Sequence, residues 1–238
     1  MLEQFTISVI LILLVLPILF IFRHRNIDLK KYLGIFCIYY LGYVFFLFLP
    51  SSIDITIPGS SMNWAGKILA IIYSLVVYFV IKNMFVHDYV MAKPSQGSIK
   101  KAIWIGTTIL GVMCLLTISF SKSKPIDVER LVYQLTMPGL DEELWRGISI
   151  AILVIIIKDT GYKFAHPAIW VTTIIFALSH SLYFQSGALG FGLDAFIVSG
   201  ILGFILGWMT LHCRSIIPAL ILHNLINFTT NSLEMFIL

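Results

Sequence analysis

The sequence predicts an all-α, polytopic transmembrane helical bundle of about eight spans. Three observations carry that expectation. Hydrophobic residues make up 59% of the 238 and charged residues only 12%, with a mean hydropathy of +0.95. Apolar runs of roughly 20 residues, the length that crosses ~30 Å of hydrocarbon, recur along the whole chain. Lys and Arg gather in alternate connections between these runs, which is the bias that orients membrane helices.

The runs follow one another with little between them. The first four cover about Phe5 to Phe22, Leu33 to Pro50, Ile68 to Phe85 and Ala102 to Phe120. A fifth follows the acidic stretch "MPGLDEELWRG" (Met137 to Gly147) to about Ile157, and a sixth covers Ala168 to Phe184. The last two cover Gly190 to Leu211 and Ile216 to Leu238. Each is expected to be helical, because an open sheet edge in lipid leaves backbone groups unsatisfied. The opening "MLEQF" has no positive n-region and no small-residue cleavage site follows it, so a retained span is expected rather than a signal peptide. The chain divides into residues 1–137, about four N-terminal spans, and residues 138–238, a C-terminal core of about four.

Charge sets the expected orientation. Arg23, Arg25, Lys30, Lys31, Lys82, Lys93, Lys100, Lys101, Lys158, Lys163 and Arg214 follow odd-numbered spans. Lys67, Lys122, Lys124 and Arg130 follow even-numbered ones. The positive-inside rule therefore places the first set in the cytoplasm and both termini outside. The net charge of +4 is accounted for by these loops and implies no nucleic-acid partner. Cys37, Cys114 and Cys213 are too scattered for a disulfide frame or a metal cluster and read as free thiols.

Ionisable residues inside spans are the informative ones, since each costs roughly 2.5–3.5 kcal/mol at a helix centre and marks a functional site by default. The candidates are Asp141, Glu142 and Glu143 with Arg146, then His180, Asp194, and His223 with Asn224 and Asn227. At ~1.5 Å rise per residue, Glu142 stands about 24 Å above Lys158, and His180 about 20 Å above Pro167. His223 and Asn227 stand about 13 and 20 Å above Arg214, so all four fall in one slab of about 10 Å. Phe176 and His180 are four apart, as are His223 and Asn227, and Glu142 and Arg146, so each pair shares a helix face. Three consecutive acids at ~100° per residue point different ways, with one or two expected toward the bundle and another toward interfacial water. The bland readings are helix–helix hydrogen bonding for the His and Asn side chains and a solvated helix start for the acids. Asp194 reads as a helix boundary, and Gly203 with Gly207 as a close-packing step.

"DEELWRG", "FALSH" and "HNLIN", in this order, resemble the three motifs of the CPBP intramembrane proteases, the CAAX-protease or Abi group. The family pattern is a Glu-Glu pair followed by Arg, then Phe-x-x-x-His, then His-x-x-x-Asn. The resemblance covers about Pro138 to Asn231. One departure stands out: the family separates the pair from Arg by three residues, and Glu142-Glu143 is separated from Arg146 by two. Registering on Arg146 makes Asp141-Glu142 the pair; registering on the acids makes it Glu142-Glu143.

The resemblance implies an intramembrane endopeptidase that hydrolyses a peptide bond of a membrane-associated or lipidated substrate. It implies a catalytic set drawn from Asp141, Glu142, Glu143, His180, His223 and Asn227, supported by Arg146 and Phe176. The residue chemistry agrees, because a carboxylate suits water activation and an Asn on the His223 stripe suits an oxyanion. No cofactor is needed on that reading, although Glu142, His180 and His223 also make a His₂Glu set suited to zinc. The competing class is a non-catalytic membrane scaffold or bacteriocin-immunity-type binding protein that keeps the fold. The expected location is a bacterial cytoplasmic membrane, with a lipid bilayer and a membrane or lipidated substrate as partners.

Overall fold

The computed structural model describes residues 2–55, 57–158, 166–185 and 187–236. Within them the chain forms eight α-helices: α1 (Leu2–Phe22), α2 (Leu29–Ser52), α3 (Trp64–Ile81), α4 (Gln96–Phe120), α5 (Val128–Ile156), α6 (Pro167–Ser181), α7 (Leu193–Cys213) and α8 (Ile217–Phe236). A single 3₁₀ turn, Lys82–Met84, extends α3. Five helices are long and apolar enough to cross a membrane: α1, α2, α3 with its 3₁₀ turn, α4 and α7. The protein is an integral membrane helical bundle. Exposed large apolar side chains such as Leu13, Ile72, Trp104, Leu115 and Ile201 face outward along these helices, as a bilayer-facing surface requires.

Two expectations about the elements are corrected. The fifth helix does not begin at the acidic cluster. Asp127 caps it by accepting from the Arg130 N–H, and Asp141–Glu143 occupy the middle of its 29 residues. Pro138 lies inside the helix, where a proline ordinarily disturbs the turn. Here the disturbed turn is repaired from α8. The Gly139 N–H donates to Asn224 Oδ1 at 2.7 Å, and Asn224 Nδ2 donates to the Thr136 carbonyl at 3.3 Å. Gly139 has to be glycine, since a Cβ there would lie 2.5 Å from Asn224 Oδ1 and 2.7 Å from the Leu220 carbonyl oxygen.

The second correction concerns the connection from α6 to α7. Instead of helix to Phe184 and again from Gly190, a hairpin intervenes, β1 (Leu182–Gln185) paired antiparallel with β2 (Ala188–Phe191). Gly190 lets the Tyr183 ring lie across the hairpin, where a Cβ would meet that ring at 2.5 Å. The glycines of "SGALGFG" permit this turn and deny α7 an earlier start. Asp194 then falls in the first turn of α7, the boundary position expected.

The connections sort into two ends as the charge pattern anticipates. At one end the His24 N–H donates to the Ile156 carbonyl at 2.8 Å, and the Ser95 N–H to the Cys213 carbonyl at 3.0 Å. These contacts gather the segments after α1, α3, α5 and α7. At the other end the Lys124 N–H donates to the Glu234 carbonyl at 2.9 Å, and Trp64 Nε1 donates to Glu129 at 2.9 Å. Lys67 leaves the loop set, because it lies inside α3 and is buried. Lys163 lies outside the described residues.

The bundle is arranged around α5, which packs against α2, α3, α6, α7 and α8. α4 is peripheral and touches α7 and α8. The main core joins Leu11, Phe36, Tyr39, Ile148, Ile152 and Ile175 from α1, α2, α5 and α6. Gly203 allows α7 to approach α6, since a Cβ there would meet Phe176 Cδ1 at 2.9 Å. That close approach carries Phe176 and His180 to α5.

Candidate active site

A central helix with neighbours on every side explains why three consecutive acids are all held by protein. Asp141 and Glu143 are fully buried and Glu142 is half-buried. None of them faces interfacial water as the sequence reading expected, and none lies at a helix start. Each meets a different neighbour, because successive residues turn ~100° around α5.

Glu143 turns toward α8. Its Oε2 accepts from Arg146 Nε at 2.9 Å, one turn along the same helix, and its Oε1 is 3.0 Å from His223 Nδ1. Both Glu143 and Arg146 are 0% exposed, so each charge depends on the other; removing one partner of such a pair costs about 3–5 kcal/mol. The Arg146 guanidinium also lies 4.4 Å from the centre of the Phe176 ring. The sequence spacing paired Arg146 with Glu142; in the fold its partner is Glu143.

Asp141 turns toward α2 and α3. Its Oδ2 accepts from the Tyr43 hydroxyl at 2.9 Å and from Lys67 Nζ at 3.0 Å. The same ammonium donates to Glu142 Oε1 at 2.6 Å. Neither Lys67 nor Tyr43 was singled out from the sequence. Lys67 carried one legible signal: it is the single charged residue of the apolar run Trp64–Ile81, and a lysine inside a span ordinarily has a partner. Tyr43 carried none, being one aromatic among many in α2.

Glu142 lies between these two clusters. One oxygen, Oε1, is held by Lys67, and the other, Oε2, faces both histidines, 3.6 Å from His223 Nε2 and 4.0 Å from His180 Nε2. The partners of the other ring nitrogens define the tautomers. His180 Nδ1 is 2.8 Å from the Phe176 carbonyl, which only accepts, so that nitrogen carries a proton. His223 Nδ1 carries one for the same reason, facing the Glu143 carboxylate that also holds Arg146. Each ring therefore turns its Nε2 edge toward Glu142. Separations of 3.6 and 4.0 Å exceed a direct hydrogen bond, and all three residues open onto one cavity, from which a water can reach them.

Phe176 ties the group together, with its ring centre 4.3 Å from that of His180 and 6.1 Å from that of His223. Asn227 joins the others in the wall of a cavity of about 390 Å³, together with Lys67, Tyr133 and Ser199. Among the described residues its side-chain amide has no protein partner, which distinguishes it from Asn224, whose amide is spent on α5. Glu142, Phe176, His180, His223 and Asn227 thus line one cavity, Asp141 and Glu143 with Arg146 lie outside its wall, and Asn224 serves the fold.

Comparison with known proteins bears on this arrangement. The family model described as Type II CAAX prenyl endopeptidase Rce1-like matches residues 128–229. Over this segment, less than half of the chain, the protein is similar to the CAAX-type endopeptidases. No curated protein and no solved structure matches the chain. The matched segment begins at the first residue of α5 and ends within α8, so it contains Glu142, His180, His223 and Asn227 but excludes Lys67 and Tyr43. The site is therefore completed by the N-terminal helices.

A zinc ion fits the donor set poorly. Among the described residues no three His, Cys, Asp or Glu side chains stand in a metal-holding arrangement. The Lys67 ammonium, 2.6 Å from Glu142, also puts a positive charge beside the place a dication would occupy.

Proposed function

We propose that this protein is an intramembrane endopeptidase of a bacterial cytoplasmic membrane, hydrolysing a peptide bond of a membrane-associated or lipidated substrate with a water activated by Glu142. The observation that carries the reading is the convergence of Glu142 Oε2 with two histidine Nε2 atoms at the wall of one cavity.

The steps follow from these positions. The water sits between Glu142 Oε2 and His180 Nε2, with the substrate carbonyl on its open side. Its oxygen attacks the carbonyl carbon while Glu142 Oε2 takes one of its protons. The two hydrogens of that water serve Glu142 Oε2 and His180 Nε2, so a donor to the substrate oxygen requires a proton on Nε2 of the other ring. His223 is the ring flanked by two carboxylates, at 3.0 Å from Glu143 and 3.6 Å from Glu142. With that proton on Nε2 it donates to the developing oxyanion, beside the free amide of Asn227; each such donor contributes ~2.7–4 kcal/mol. The proton on Glu142 then passes to the leaving amine as the C–N bond breaks. Glu143 and Arg146 position His223, and Lys67 and Tyr43 hold Asp141 and fix which oxygen of Glu142 faces the gap.

Comparing membrane peptides from cells that express the wild type or Glu142→Gln tests this. A product with a new N-terminus should appear only with the wild type. Its presence at equal level with Glu142→Gln would end the proposal. The Lys67 clamp on Glu142 favours the competing reading, a non-catalytic binding protein, and that reading gains if no peptide depends on Glu142.

A further inference from the structure

The larger cavity is not alone at the site. A second, of about 180 Å³, lies on the other side of the same residues, between α1, α2, α5 and α6. Glu142, Phe176 and His180 line both cavities and form the partition between them. This double exposure explains why the His180 side chain is 42% exposed although it meets Glu142 in the middle of the site.

The two spaces differ in character. The larger has room for a stretch of polypeptide and holds the proposed oxyanion donors, His223 and Asn227. The smaller has room for several waters. Its wall carries Gln4 and Ser8 from α1, Tyr40 and Tyr43 from α2, and Ser179 beside His180. The Ser8 and Ser179 hydroxyls donate to the Gln4 and Phe176 carbonyls and the Tyr43 hydroxyl to Asp141, and the oxygens of these hydroxyls, in a line ending at a carboxylate, still accept from water. A substrate lying in the larger cavity covers Glu142 from that side and excludes water from it. Hydrolysis still consumes one water per bond. The water then has to arrive from elsewhere.

We propose that the smaller cavity is the path by which water reaches Glu142 while the substrate occupies the larger one. This rests on the protease reading for its purpose, but not for its existence. The path runs from the first turn of α1, at Gln4, past Ser8 to Ser179 and the partition.

The test is modification by a charged, water-soluble methanethiosulfonate reagent on the full chain in membranes, with Cys37, Cys114 and Cys213 replaced. Ser8→Cys and Ser179→Cys are near-isosteric and should react at least about tenfold faster than Leu13→Cys, which faces outward on α1 at 59% exposure. Equal rates at all three positions would overturn the path and leave the protease reading standing. A second measurement uses Ser8→Phe, which fills the cavity. It should lower kcat several-fold with KM unchanged, because the substrate sits elsewhere. Unchanged kcat in a folded Ser8→Phe protein would show that water enters with the substrate, and would overturn the proposal. Fast labelling at Ser8→Cys without any Glu142-dependent cleavage would overturn the reaction, and with it the purpose assigned to the water.

Discussion

Replacing the three acids one at a time separates chemistry from architecture. In Glu142→Gln the volume is kept and the basic carboxylate is lost. Loss of a positioned general base costs about 10²–10⁴ in rate, which is about 2.7–5.4 kcal/mol at ~1.36 kcal/mol per tenfold. Stability should change little, since Lys67 keeps Asp141 at 3.0 Å and the amide oxygen still accepts. Glu143→Gln behaves in the opposite way. It leaves Arg146 buried at 0% exposure without its carboxylate, a loss of about 3–5 kcal/mol in stability, and the rate falls through the displaced His223. Asp141→Asn keeps acceptors for Tyr43 and Lys67, and its rate should stay within about tenfold of wild type, well short of the loss of a general base. The assay pairs product formation in membranes with unfolding in a titration from mild to denaturing detergent. A stable Glu143→Gln protein with no activity, beside an active Glu142→Gln, would refute the assignment of the base to Glu142.

Gly139→Ala should destabilise by about 1–3 kcal/mol, because the added methyl is forced onto Asn224 and the Leu220 carbonyl; detergent unfolding measures it. Lys67→Arg should retain more turnover than Lys67→Met, with the larger loss in kcat rather than KM, since the ammonium is spent on orienting Glu142 and Asp141. Purified protein should cleave after chelator treatment and contain no stoichiometric zinc, whereas zinc near one per chain with activity restored on its addition would reverse the metal-free mechanism. Cysteine labelling should find positions 100 and 158 on the cytoplasmic side and position 124 on the other; cytoplasmic labelling at 124 would invert the orientation without touching the chemistry.

The membrane bundle, its approximate spans and the grouping of odd and even connections at opposite ends were legible in the sequence. Each depends on a property that adds up along the chain: apolar length, helical rise and the distribution of Lys and Arg. The convergence of Glu142, His180, His223 and Asn227 was also anticipated, because helices of known rise crossing one bilayer place residues at calculable depths. What depends on neighbours in space was not legible. The fifth span was expected to start at the acidic stretch, and the Asn224 amide that repairs the turn at Pro138, letting the helix run through it, lies 86 positions further on. The hairpin Leu182–Phe191 was masked by residues as apolar as those of a span. Spacing paired Glu142 with Arg146, but the rotation of α5 among five neighbours gives Arg146 to Glu143 and leaves Glu142 facing the histidines. Lys67 shows the limit most clearly. It read as a loop charge, and only the packing of α3 against α5 carries its ammonium to two carboxylates more than 70 residues away. Depth follows from the chain alone, whereas which side chains face one another at that depth is decided by helix rotation and packing.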